Sequence, residues 1–203
     1  DLATTAKLLR TRGDAMQAAV PVGIGAMAAI LGADREKAQA IADAAAEGQV
    51  CTAANDNDPA QVVISGHREA IERALPIAKE MGAKRALLLP VSAPFHCPLM
   101  QPAADAMAEA LAAVSIRAPL VPVYANVTAA PVADPDTIRA LLVEQVTGMV
   151  RWRESVLAMF AGGVGDYVEF GGKVLGGMVK RIAPDAAPVS VVTMEDIEAL
   201  AKT

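Results

Sequence analysis

Gly25-Ala26-Met27-Ala28-Ala29-Ile30-Leu31 is an uninterrupted apolar run closed by Gly32, and its length marks a buried strand rather than a helix. Asp34 stands where a helix cap is needed, and the helix it opens is expected to run to about Ala46 and end at Gly48. Gln49 to Ala54 reads as a second strand, and Asn55-Asp56-Asn57-Asp58-Pro59 as turn chemistry. Gln61-Val62-Val63-Ile64-Ser65 closes a hairpin as the third strand. His67 to Met81 follows as a helix ended by Gly82, and Arg85 to Val91 as a fourth, leucine-rich strand.

That order, β-α-β-β-α-β, is the split-βαβ or ferredoxin-like unit. Upstream, residues 3–18 read as a helix: Leu2, Ala6, Leu9, Ala15 and Met16 are compatible with one apolar face, and Val20-Pro21-Val22-Gly23 stops it. Downstream come a Pro-rich loop (90–98), a helix at about 99–113 and a strand around Val121 to Tyr124. Helices at about 135–146 and 152–162 follow, then a strand from Asp166 to Phe170 and a helix from Lys173 to Ile182. A last strand, Val189 to Val192, precedes a short acidic helix. Alternating strands and helices imply a parallel α/β sheet. The expected organisation is a large α/β domain built from 1–22 and 92–203, interrupted by a small subdomain at 23–91.

Composition narrows the function. The chain has 203 residues, 54% of them hydrophobic and 20% charged, which is too apolar for disorder. A net charge of −5 and few aromatic rings speak against a nucleic-acid groove. Two cysteines and two histidines make neither a four-ligand zinc site nor a disulfide framework, so a reducing cytoplasm is the expected location. Ala15 to Ala33 and Ala86 to Ala104 carry no formal charge and are long enough for a membrane span. Pro21, Gly23, Gly25 and Gly32 break the first, and Pro90, Pro94, Pro98 and Pro102 the second, so both read as buried interior and no membrane is expected. Asp1-Leu2-Ala3 begins inside a helical pattern, without initiator methionine or signal peptide, and the chain reads as a piece whose beginning is missing.

Val91-Ser92-Ala93-Pro94-Phe95-His96-Cys97-Pro98 carries most of the chemistry. It places His96 in a loop at the C-terminal end of a predicted strand, where α/β sheets hold their sites. His96 is a candidate base or a loop histidine bonded for structure; Cys97 reads as buried and inert rather than as its nucleophile. Arg12 ends an amphipathic helix, either solvated there or as a two-pronged clamp on a carboxylate. Gln145, taken alone, is a capping or surface residue. Gly171-Gly172-Lys173 opens a helix after a strand and is a weak candidate for holding an anion on free N–H groups. His67 reads as a surface histidine near a helix cap. None of the five serines (65, 92, 115, 155, 190) lies in a Gly-x-Ser-x-Gly elbow.

Taken together, the motifs resemble the malonyl-CoA:acyl carrier protein transacylase family of fatty acid synthesis. The matching segments are Arg12-Gly13 with Met16-Gln17, Gly25 to Ile30, Asn55-Asp56-Asn57 and Gln61 to Gly66, followed by Lys84-Arg85-Ala86, Pro90 to His96, Gln145-Val146, Val150-Arg151-Trp152 and Glu169-Phe170-Gly171. They occur in family order over nearly the whole chain. The resemblance implies an α/β-hydrolase-like acyltransferase core with a ferredoxin-like subdomain, and a ping-pong transfer of malonyl from malonyl-CoA to the phosphopantetheine thiol of acyl carrier protein through an acyl-serine.

The resemblance also assigns roles. His96 is the implied general base, Arg12 the grip on the free malonyl carboxylate, and Gln145 the residue whose backbone carbonyl orients His96. Met16 and Phe95 are expected beside the acyl group, and Asn57 and Gln61 along the cleft between the subdomains. Metal and cofactor are not called for, and a monomer is expected. Arg151, Arg153, Lys180 and Arg181 are candidates for docking the acidic carrier. The family's Gly-His-Ser-Leu-Gly nucleophile elbow and its Gly-Gln-Gly-Ser-Gln oxyanion loop are both missing, and both are expected ahead of the first helix. The 203 residues alone are therefore expected not to turn over. The competing expectation is a binding module that docks carrier protein or CoA without acyl transfer.

Overall fold

A computed structural model describes residues 1–202. The chain is a mixed α/β protein. Its central unit is a four-stranded antiparallel sheet of β1 (Gly25–Leu31), β2 (Cys51–Asp58), β3 (Gln61–His67) and β4 (Arg85–Leu88), in spatial order β2-β3-β1-β4. Two helices, α2 (Arg35–Ala46) and α3 (Arg68–Glu80), pack on one face. Alternation along the strands sends Ala28, Ile30, Val62 and Ile64 toward these helices, against Ile41 and Ala42 of α2 and Ile71 and Ala74 of α3. Alanine at so many contacts lets the helices approach the sheet closely. Met27, Ala29, Ala54 and Val63 point the other way, toward Leu89 and Phe95, and that second face becomes a wall of the candidate site.

Asp34 caps α2 as expected, its carboxylate accepting from the Lys37 N–H at 2.9 Å. The expected turn at residues 55–59 is different. Strand β2 runs through to Asp58, and the reversal shrinks to Pro59-Ala60. The aspartates stay in the strand because each buried carboxylate has an arginine: Arg153 reaches Asp56 at 2.9 Å and Arg181 reaches Asp58 at 2.9 Å. His67 is not a free surface residue, since its Nδ1 accepts from the Val50 N–H at 2.9 Å. Strand β4 stops at Leu88 rather than Val91 and, among the described residues, pairs only with β1, leaving Leu87 and Leu88 exposed. Pro21 to Ile24 are exposed too, so the two uncharged stretches are buried only in part. Among the described residues no helix is long and apolar enough to cross a membrane.

The flanking segments pack beside this unit. Helix α1 (Leu2–Ala18) lies on α4 (Gln101–Ala112), and Met16, Val20, Met100, Met107, Leu111 and Val146 fill the space between them. Beyond α4 come the antiparallel hairpin β5 (Val123–Ala125) and β6 (Ala130–Val132), then α5 (Pro135–Glu144) and α6 (Trp152–Ala161). Strands β7 (Asp166–Phe170) and β8 (Ala187–Val191) pair in parallel around α7 (Leu175–Ile182), and α8 (Met194–Leu200) follows behind a Thr193 capping box. The extended parallel sheet expected here is, among the described residues, this one pair of strands. The other pairing is the hairpin, whose three-residue β6 is too short to show a period. Phe170, Val168 and Val189 on the β7–β8 pair are exposed, as are Leu120 and Val121.

Candidate active site

The loop after β4 is held by its buried members. Ala93, Pro94 and Cys97 are nearly inaccessible, the Phe95 N–H donates to the Ala93 carbonyl at 3.1 Å, and the Cys97 thiol donates to the Pro94 carbonyl at 3.1 Å. This bracing holds His96 at φ 56°, a left-handed conformation that costs a non-glycine residue about 1–2 kcal/mol. Burial pushes the Cys97 thiol up, in keeping with the inert role expected of it.

His96 Nδ1 lies 3.2 Å from the carbonyl oxygen of Gln145 and 3.2 Å from that of Gly148. Carbonyl oxygens only accept, so Nδ1 carries the hydrogen and Nε2 of the neutral ring keeps its lone pair. The acceptors are available because α5 ends at Glu144, and carbonyls at a helix C-terminus lack intrahelical donors. Burial lowers the His96 pKa, the nearby Arg12 cation lowers it further, and the two carbonyls oppose the shift.

Arg12 sits on the last turns of α1, half-buried, with its Nη2 donating to the Gln145 Oε1 at 3.1 Å. Among the described residues no carboxylate pairs with it, and burial lowers its pKa. Gln145 thus meets both groups, the arginine through its side chain and the histidine through its carbonyl.

A cleft of about 490 Å³ opens between α1, the His96 loop and the free face of the small sheet. Six of the seven residues expected at the site line it: Arg12, Met16, Asn57, Gln61, Phe95 and His96. Gln145 stands behind this wall. Asn55 and Gln17 also line the cleft and were not expected there. Asn55 shares a face of β2 with Asn57, a relation that reading residues 55–59 as a turn concealed. Gln17 follows Met16 on α1 and donates through Nε2 to the Ser92 hydroxyl at 2.8 Å.

One expectation does not survive. The N-terminus of α7 is not an open anion site, because Glu169 accepts from the Val174 N–H at 2.9 Å and the Gly176 N–H at 3.0 Å. The docking candidates are engaged within the molecule: Arg151 with Glu154, Arg153 with Asp56, Arg181 with Asp58, and Lys180 with the Pro184 carbonyl. No group of three or more metal-ligating side chains occurs among the described residues.

Known proteins resemble this chain closely. The malonyl CoA-acyl carrier protein transacylase of Escherichia coli (strain K12) is 51% identical over 183 residues, covering 90% of this chain. The chain spans 59% of that relative's length. An acyl-carrier-protein-S-malonyltransferase from Bartonella henselae superposes with a TM-score of 0.95 at 52% identity, covering 100% of this chain and 65% of its own. A malonyl-transacylase solved in complex with its type II PKS acyl-carrier protein gives a TM-score of 0.92 at 43% identity, over 96% of this chain and 64% of its own. The acyl transferase domain model matches residues 2–171, the span that contains α1, the small sheet, the His96 loop and the β7 strand, and the chain belongs to that family.

Proposed function

We propose that this chain supplies the base and the carboxylate grip of a malonyltransferase, which moves malonyl from malonyl-CoA to the phosphopantetheine thiol of an acyl carrier protein. The carrying observation is the pairing of His96 and Arg12 at one cleft: an imidazole with Nδ1–H held by two carbonyls, beside a half-buried guanidinium with no carboxylate partner among the described residues. Nε2 takes the proton of a serine hydroxyl as its oxygen attacks the thioester carbonyl. The CoA thiolate leaves with a proton, and the carrier thiol reverses the step. Arg12 binds the free malonyl carboxylate through its guanidinium fork, which acetyl cannot use. Met16 and Phe95 pack along the acyl group, and Asn57 and Gln61 offer amides from the opposite wall. The serine comes from outside these 203 residues, so the chain by itself is inactive; the reading calls for no metal or cofactor, a cytoplasmic location and a monomer.

The strand order β2-β3-β1-β4 with both helices on one face supports a ferredoxin-like subdomain at 23–91. The parallel pair β7–β8 with its exposed apolar faces supports an α/β-hydrolase-like core at 1–22 and 92–203, completed by further chain. The relative solved with its carrier protein supports the partner. The test is incubation of the intact protein with malonyl-CoA and mass spectrometry for a malonyl-serine. A His96→Ala variant that acylates at the normal rate removes the base assignment, and binding of carrier or CoA without acylation favours the binding module.

A further inference from the structure

We propose, resting on the reading of His96 as the base, that Asn126 is a positioning residue that holds the histidine's carbonyl acceptors in place. Asn126 follows β5 in the turn to β6, far in sequence from His96. Its Nδ2 donates to the Met149 carbonyl at 2.9 Å and its Oδ1 accepts from the Arg151 N–H at 2.9 Å. One side-chain amide therefore brackets Val150 as a neighbouring strand would. On the other side, Val150 donates to the Ala54 carbonyl at 2.8 Å and accepts from the Asp56 N–H at 2.8 Å. The backbone of residues 149–151 is held from both flanks, and the next carbonyl upstream is that of Gly148, bonded to His96 Nδ1. Gly148 is tied in turn to the end of α5, its N–H donating to the Glu144 carbonyl at 3.0 Å.

Only a carboxamide carries donor and acceptor on one rigid group of this reach. Asp at 126 would keep the acceptor for Arg151 but set oxygen against the Met149 carbonyl; Ala would leave both backbone groups without partners. Either change frees the 146–150 segment to shift, and Nδ1 of His96 loses its matched acceptors. The neutral ring then no longer has its hydrogen held on Nδ1, and Nε2 is blocked in the fraction that moves it there. The charged groups around this segment are Arg12 from α1, Asp56 of β2 with Arg153 of α6, and the Arg151–Glu154 pair.

The experiment uses the intact protein with Asn126→Ala and Asn126→Asp, and Thr128→Ala on the same turn as a control. Nitrogen-15 shifts of the His96 ring should show Nδ1–H in the parent and control, and a mixture of tautomers in both Asn126 variants. Acylation by malonyl-CoA should slow about 10- to 100-fold in the same two variants. The nearly isosteric Asp variant carries the test if the Ala variant does not fold. A slowed variant with an unmoved tautomer, or a mixed tautomer at the parent rate, overturns the proposal. Normal acylation by His96→Ala would instead overturn the reading beneath it.

Discussion

His96 combines three conditions that rarely coincide by accident: a left-handed backbone, an Nδ1 committed to two carbonyls, and burial beside a cation. Its folded pKa lies below the ordinary 6.5, so the ring is neutral and able to accept a proton at neutral pH. The rate of serine acylation by the intact protein should therefore fall toward acid pH with a midpoint below 6.5, as a pH–rate profile will show. A midpoint above 6.5 would contradict the burial argument. For Arg12, replacement by Lys keeps the charge but loses the fork, and the preference for malonyl over acetyl should narrow about tenfold or more in competition assays. The cysteines make a third prediction. Burial raises Cys51 to about 11 and raises Cys97 as well, so neither thiol should react with a thiol reagent at pH 8 until the protein unfolds.

Strand β2 shows what an element-level reading loses when composition and environment conflict. Asn-Asp-Asn-Asp-Pro favours a turn locally, yet residues 55–58 are extended because arginines from α6 and α7 meet the two aspartates from one side while Asn55 and Asn57 face the cleft. Those arginines lie 97 and 123 residues away, beyond any local window. By contrast α2, α3, β1, β3 and β7 were legible, since each carries its own period, cap or glycine stop; α1 was legible as a helix but not in its face, for Leu2, Ala6 and Leu9 of the expected apolar side are exposed and Leu8 packs instead. Arg153→Ala leaves the Asp56 carboxylate buried and unpaired, and should cost about 3–5 kcal/mol in urea unfolding. A paired Asp56→Leu, Arg153→Leu variant should recover much of that loss.

Across the whole molecule, the small sheet with its helix α2 is joined to the segment 150–181 by the Asn55–Val150 bridge and by three ion pairs: Arg35 with Glu154, Arg153 with Asp56, and Arg181 with Asp58. These contacts set the cleft width, because they fix the strand carrying Asn55 and Asn57 against the loop carrying the His96 acceptors. The exposed apolar residues of β7 and β8, with Leu120 and Val121, belong to none of the chain's own hydrophobic cores. The 203-residue chain should bind a hydrophobic dye more strongly than the intact protein, in fluorescence titrations at equal concentration. Equal dye binding would remove the argument that further chain covers those faces.

The amino-acid sequence by itself determined the helices with strong caps, the apolar strands, the family to which the motifs point and six of the residues that line the cleft. The helices and strands are properties of short segments, set by periodicity, capping and turn-forming residues; the cleft residues are those that the resemblance to the family implies. Tertiary structure alone decided that Asn55 to Asp58 are strand, that the Gln145 side chain meets Arg12 while its carbonyl meets His96, and that Asn126 braces the 149–151 backbone. Each of these depends on a partner distant in the chain, and a hydrogen bond or ion pair between distant residues leaves no periodic trace in either.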